Sequence, residues 1–254
     1  MPWKEQLRSL LIDGKFEEAN ELRLSKLPQE LYRYRPITSL KDFEYRKLEL
    51  LGNIYFSDLR GVNDPFDSRF MTSDSGGKAA DAMNCAFDRV NLETLRFACF
   101  SEKKNNMPMW AHYSGNHTGI CFEYRTEQVT RNSGLNFWPV VYVDQLLDCS
   151  EESNNHLHSD PTKLIAFMKL KDWSYEREWR LRYWHNKGML NKASYNVCKE
   201  DRTRKVGKPT AVYLGVNASE DVMQYIADIA LKNEIKVYRM RATPHGLDAD
   251  EITS

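Results

Sequence analysis

The sequence predicts an α+β fold with a helical hairpin at its N-terminus. Three observations predict it. Short apolar runs with strand character recur along the chain, but helical spacing separates only some of them, so the strict β-α-β order of a doubly wound sheet is missing. Apolar positions at Leu7, Leu10 and Leu11, then Ala19, Leu22 and Leu24, have helical spacing on either side of Gly14. The 254 residues, 41% of them hydrophobic, can bury a substantial core, and no linker divides residues 29–254. Residues 1–28 are therefore read as the hairpin and 29–254 as one domain.

The elements follow in order. Pro28 ends the hairpin. Leu31-Tyr32-Arg33-Tyr34-Arg35-Pro36 alternates aromatic and basic residues, so a short strand places Arg33 and Arg35 on one face and Tyr32 and Tyr34 on the other. A helix is expected over 39–50, closed by Gly52, and a second strand over 54–57. Turn residues fill 61–67, a polar loop 71–80, and a helix is expected near 78–90. Strands are expected over 95–101, 118–124 and 140–143, with a short helix holding Trp110 and Tyr113 on one face. A polar loop over 148–160 leads to a helix over 161–171 and a strand over 179–184. A polar connection over 186–210 leads to a strand at 211–215, an amphipathic helix over 219–233 and a last strand over 235–240.

The composition narrows the function. Thirty-six basic and 36 acidic residues cancel, so no overall charge favours nucleic acid or an anionic membrane. The five cysteines are odd in number and lack a C-x-x-C pair, which points to reduced thiols rather than a disulfide framework or a zinc site. The first residues lack an apolar signal core and no run is long enough to span a membrane. A cytoplasmic protein with no membrane partner is the expectation.

Two stretches concentrate the chemistry. In the first, Phe97-Ala98-Cys99-Phe100-Ser101 ends an apolar strand in a Ser, followed by Trp110, His112, Tyr113 and His117. This packet of stacking and hydrogen-bonding groups suits a planar ligand such as a nucleobase or nicotinamide. Its plain alternative is a turn Ser beside histidines that hold a loop. His112 and His117 lack an acidic or thiol partner at metal-site spacing, so no metal is expected. Cys99 and Cys121 lie inside apolar strands, where thiols are usually inert. The second stretch is Asp172-Trp173-Ser174-Tyr175-Glu176-Arg177-Glu178-Trp179-Arg180. On a strand, Glu176, Glu178 and Arg180 would share one face; an ion-paired edge strand is the competing account.

These islands, with Leu31-Tyr32-Arg33-Tyr34, Ile54-Tyr55-Phe56-Ser57, Asn63-Asp64-Pro65-Phe66-Asp67 and His117-Thr118-Gly119-Ile120-Cys121, resemble a bacterial domain family of unknown function over most of residues 31–240. A more distant resemblance is to ADP-ribosyltransferases of the Arg-Ser-Glu type, with Arg33, Ser101 and Glu176-Arg177-Glu178 in that order. That resemblance implies mixed, mostly antiparallel sheets and NAD as substrate. It implies that Arg33 holds the phosphates, flanked by Tyr34 and Ser57. Ser101 would lie near the nicotinamide ribose, Glu178 would stabilise the ribose cation and Glu176 would orient the acceptor. Trp110, Tyr113 and His117 would contact the cofactor. Cys99-Phe100-Ser101 replaces the Ser-Thr-Ser triplet of that superfamily, Ser57 competes with Ser101, and Arg35 competes with Arg33.

The expectation is an NAD-consuming enzyme that transfers ADP-ribose to a protein or nucleic-acid acceptor or hydrolyses NAD, as a toxin or antiphage effector. The hairpin could dock a partner. One alternative is a non-catalytic nucleotide or nucleic-acid binding module, helped by basic residues between Lys199 and Lys208. A second is a metal-dependent nuclease using Glu176, Glu178, Asp64 and His117.

Overall fold

The computed structural model describes residues 2–38, 40–57, 63–69, 71, 81, 95–146, 166–184 and 202–252. It has a mixed α+β architecture. The hairpin is α1 (Pro2–Ile12) and α2 (Phe16–Lys26). Then come β1 (Glu30–Arg35), α3 (Leu40–Leu50), β2 (Asn53–Tyr55) and β3 (Leu95–Ser101). The short helix α4 (Met107–Tyr113) starts at Asn106, whose side chain accepts from the Met109 N–H. β4 (Ile120–Arg125), α5 (Thr126–Ser133), β5 (Asn136–Pro139) and β6 (Val141–Val143) follow.

The expected helix over 161–171 is corrected where it is described. Met168–Leu170 is a strand, β7, and Lys171–Glu176 is a 3-10 helix. Residues 161–165 lie outside the described part, as do most of the expected 71–80 loop, the 78–90 helix and the 148–160 loop. β8 (Glu178–Trp184) and the short β9 (Thr203–Lys205) come next; β9 interrupts what the sequence presented as a polar connection. β10 (Ala211–Leu214), α6 (Glu220–Lys232, capped by Ser219), β11 (Lys236–Thr243) and β12 (Gly246–Ile252) complete the described elements.

Eight strands form one sheet in the order β12-β11-β10-β4-β1-β3-β8-β5. Only β10 and β11 run parallel, joined through α6 as a β-α-β unit; the other neighbours are antiparallel. One face carries the main core. Phe100, Phe122, Trp179, Leu181 and Val212 are packed there with Val222, Ile226 and Ala230 of α6. On the other face α4 lays Met109 and Trp110 on Tyr34, Cys121, Tyr213 and Met240.

The hairpin packs on β6 and β7 through Leu7, Leu11, Ala19, Val141 and Met168. Trp3 stands 6.1 Å from the Trp179 ring, and Lys4 Nζ donates to Val140 O at 2.9 Å. Arg23 donates to Phe137 O at 3.0 Å. Two glycines are dictated by the approach of the 115–119 loop to the ends of β10 and β1. A Cβ on Gly215 would stand 2.1 Å from His117 O, and one on Gly119 would stand 2.2 Å from Arg35 O.

The feature that matters for the site is a parting of the sheet. β1 follows β4 from Glu30 to Arg35, but meets β3 only at Tyr32 opposite Ser101. Beyond that point Arg33 bridges the gap, with Nη1 on Cys99 O at 3.0 Å and Nη2 on Tyr55 O at 2.8 Å.

Candidate active site

A cavity of about 160 Å³ opens where β1 and β3 separate. Its lining includes Tyr32, Arg33, Tyr34 and Arg35 from β1, the stretch from Phe97 to Ser101 of β3, and Ser57. Asn63 and Asp67, Met109 and Tyr113 of α4, Lys169 of β7, and Glu176 and Glu178 complete it. Strand register explains the convergence. Ser101 lies opposite Glu178 and Cys99 opposite Arg180, so these four share one face of the sheet.

Glu176 reaches the same cavity by a different route from the shared strand face that the sequence suggested. It ends the 3-10 helix, and Arg177 adopts a left-handed conformation (φ 47°, ψ 47°) before β8 begins at Glu178. That kink brings the two carboxylates onto one cation. Lys169 Nζ lies 2.6 Å from Glu176 Oε2, 3.0 Å from Glu178 Oε2 and 3.5 Å from Asp67 Oδ2. Arg180 Nε donates to Glu178 Oε1 at 2.8 Å, and its Nη2 to Asp67 Oδ2 at 2.5 Å. Tyr113 donates to Glu176 Oε1, and Asn63 donates to the Tyr113 hydroxyl at 2.9 Å. Glu178 N–H donates to the Tyr142 hydroxyl at 2.8 Å.

The two carboxylates differ in proton affinity. Burial disfavours ionisation of Glu178, but Arg180 and Lys169 outweigh it and hold the carboxyl well below the usual range. Burial, then repulsion by Glu178, raises Glu176, against the partial relief of Lys169 and Tyr113. Burial also opposes the charge on Lys169, yet Glu178, Asp67 and Glu176 keep it an ammonium. A neighbouring pair whose environments separate them in this way is the arrangement that general acid–base chemistry uses.

The expected site residues fall into two groups. Ser101, Glu176, Glu178, Arg33, Tyr34, Ser57 and Tyr113 line the cavity. Trp110 and His117 do not: Trp110 is fully buried and donates to Lys104 O at 2.6 Å, and the His117 ring stacks parallel to it at 6.5 Å. Ser101 is buried and donates to the backbone oxygen of Glu176 at 2.7 Å, so it holds the kink in place. Arg33 sits on the core face over Phe100, with Nε on Glu49 at 2.6 Å and both Nη atoms on carbonyls. Tyr34 donates its hydroxyl to Lys103 O at 2.5 Å. Among the described residues no group of three or more His, Cys, Asp or Glu is arranged to hold a metal.

Three participants escaped the sequence. Lys169 was hidden in an expected helix, and Asp67 in a turn-rich island. Cys99 looked like an inert strand thiol; it is exposed and lines the cavity. Desolvation, then the Glu178 charge beside it, keeps the thiol protonated.

Residues 109–181 match the model of a family described as a protein of unknown function (DUF2971). This agrees with the domain-of-unknown-function islands in the sequence. The matched segment carries Tyr113, Lys169, Glu176, Glu178 and Arg180. No curated protein and no solved structure matches the chain. No described helix is long and apolar enough to cross a membrane.

Proposed function

We propose that the protein is an NAD-consuming enzyme that breaks the bond between nicotinamide and ribose, delivering ADP-ribose to a macromolecule or to water. The observation that supports this reading is the Glu176–Glu178 pair on one cavity, clamped by Lys169 and separated in proton affinity. The ionised Glu178 is the group to face the ribose carbon as positive charge develops there. The C1′–N bond breaks, and its electron pair leaves with nicotinamide, which departs neutral. The acceptor oxygen bonds to C1′ and its proton passes to Glu176, which has the higher affinity for it. Tyr113 and Ser101 are positioning residues, one on the Glu176 carboxylate and one on its backbone. On the same reading the parted, mostly antiparallel sheet is an ADP-ribosyltransferase-type fold.

The test is nicotinamide release from NAD by the purified chain, followed by chromatography. Wild type is expected to turn over, and Glu178→Gln to lose about 10²–10³-fold in rate, as removal of one preorganised electrostatic group does elsewhere. Absence of release by the wild type, with protein and nucleic-acid acceptors supplied, sinks the proposal.

A second reading has its own support. Both Glu178 oxygens already meet cations, from Arg180 and Lys169. A Glu178 carboxylate so fully paired suits a module that binds a nucleotide without transforming it. Calorimetry showing nucleotide binding with no product formed would favour that reading.

A further inference from the structure

We infer that a groove between the starts of α3 and α6 is a second ligand site, one that takes an organic ammonium ion with an apolar body. It is separate from the cavity between β1 and β3 and does not rest on the glycosidic reading.

The groove holds about 660 Å³, a size that suits a small ligand, and shares no lining residue with that cavity. Its floor is Ile37 and Val222, both buried. Its wall is Phe43 of α3 and Tyr225 of α6, whose ring centroids lie 4.9 Å apart with planes at 81°. In such a pair the edge of one ring meets the face of the other. The two rings therefore form a corner. A corner cannot sandwich a flat ring system, but it can border a rounded group on two sides. Glu44 and Asp221 stand on the rim, one from each helix, and both are exposed. Three- and four-residue spacing puts Asp221, Val222 and Tyr225 on one face of α6.

The lining selects the charge of the occupant. None of the described residues that line the groove is Lys, Arg or His, so an anion has no partner there. Thr38 and Ser219, which complete the lining, are neutral and serve the helix starts: Thr38 donates to Asp42 at 3.0 Å, and Ser219 accepts from the Val222 N–H at 3.4 Å. The start of α6 contributes about half a positive charge. Glu220 and Asp221 in its first turn exceed that. Glu220 has Arg239 Nη1 at 3.9 Å. Among the described residues no basic group forms an ion pair with Asp221 or Glu44, and Glu44 accepts only from the Tyr225 hydroxyl, at 3.5 Å. Lys41, three residues before Glu44, holds its ammonium 5.8 Å from the Tyr45 ring instead.

The kind of cation follows from the rest of the lining. Among the described residues no group of three or more His, Cys, Asp or Glu is placed to hold a metal, and a hydrated ion would leave the apolar floor unused. A neutral apolar ligand would leave both carboxylates unanswered. An ammonium ion carrying methyl or aryl groups meets every part: the ring faces attract it, the carboxylates neutralise it and the floor covers its apolar body.

Calorimetry on the full chain compares choline with neohexanol, which has the same shape with carbon in place of the charged nitrogen. Choline is expected to bind about tenfold more tightly. Benzyltrimethylammonium, which adds an apolar body, should bind severalfold more tightly than choline. Tyr225→Leu keeps an apolar side chain but loses the ring, and should weaken both ammonium ions about tenfold, whereas Tyr225→Phe should not. Glu44→Gln and Asp221→Asn change exposed positions, so they leave the fold intact, and each should weaken binding severalfold. Glu178→Gln should leave the affinity unchanged, because that carboxylate lies in the other cavity. Equal binding of choline and neohexanol, no binding of either ammonium ion at millimolar concentration, or full affinity in a folded Tyr225→Leu overturns the site. Loss of ammonium binding in Glu178→Gln alone also overturns it, by placing the ligand in the cavity between β1 and β3.

Discussion

Arg180 is the residue on which the carboxylate cluster depends most for charge balance. It is 1% exposed and its guanidinium meets Glu178, Asp67 and Ala166 O. Replacing it by Leu leaves three buried carboxylates, Asp67, Glu176 and Glu178, to Lys169 alone, and the expected cost is about 3–5 kcal/mol, read from urea unfolding. The same cluster sets a pH dependence. Glu178 has a folded-state pKa held below its usual value of 4.5, so its ionisation stabilises the fold above that value and the stabilisation is lost as pH falls. Glu176 is shifted upward and works in the opposite sense, taking up a proton first and relieving its repulsion with Glu178. Melting temperature is expected to stay flat near neutrality and to fall steeply below about pH 4, less steeply in Glu178→Gln. At this scale the sequence was half legible. The two glutamates and Ser101 stood out because unusual residues cluster in short stretches. Asp67 and Lys169 did not, because their partners are remote in sequence and no local pattern records a pairing made by the fold.

Among the elements, the kink at Arg177 and the loop packing at Gly215 carry distinct consequences. A left-handed residue other than Gly is uncommon, and a β-branched one there is strained. Arg177→Gly should retain stability, whereas Arg177→Val should lose about 1–2 kcal/mol and misplace Glu176, lowering turnover further than stability alone explains. Gly215→Ala drives a Cβ against His117 O and is expected to cost about 3 kcal/mol, checked by the urea midpoint. Long periodic elements were readable: the hairpin, α6 and the strand over 95–101 stand where spacing put them, and the strand expected over 211–215 spans Ala211–Leu214. The failures are short or out of phase. Met168-Lys169-Leu170 is too brief to declare a strand, and in the sequence it continues the apolar run Leu164-Ile165-Ala166-Phe167, which suits a helix equally well. α5 and β12 went unread because polar residues dominate them, and β5 because it is only four residues, Asn-Phe-Trp-Pro, ending in a Pro; β12 is Gly-Leu-Asp-Ala-Asp-Glu-Ile, held mainly by pairing along β11.

For the molecule as a whole, the hairpin is part of the main body's packing. Trp3 lies against Trp179, Lys4 caps Val140 O, and Lys4 Nζ stands 5.1 Å over the Tyr142 ring whose hydroxyl receives the Glu178 N–H. Burial lowers the Lys4 pKa to about 8, so its ammonium is held at some cost by these contacts. Deleting residues 2–26 is expected to lower the melting temperature and the turnover together, and the intact chain should protect hairpin amides from hydrogen exchange about as strongly as β3 and β8. Independent, early exchange of the hairpin would show that it is a separate unit after all. The zero net charge seen in the sequence hides the buried cluster of Asp67, Glu176, Glu178, Lys169 and Arg180, because a sum over 72 charged side chains carries no information about where they meet.

The open sulfur of Cys99 has a practical consequence. Cys121 is buried against α4, while Cys99 is exposed and lines the cavity beside Glu178. A small electrophile such as iodoacetamide should therefore attach at Cys99, slowly at neutral pH because the thiol is protonated, and a bound nucleotide should slow it further. Peptide mapping of the adduct turns that one atom into a footprint of occupancy, and a ligand carrying a mild electrophile could be tethered there for good.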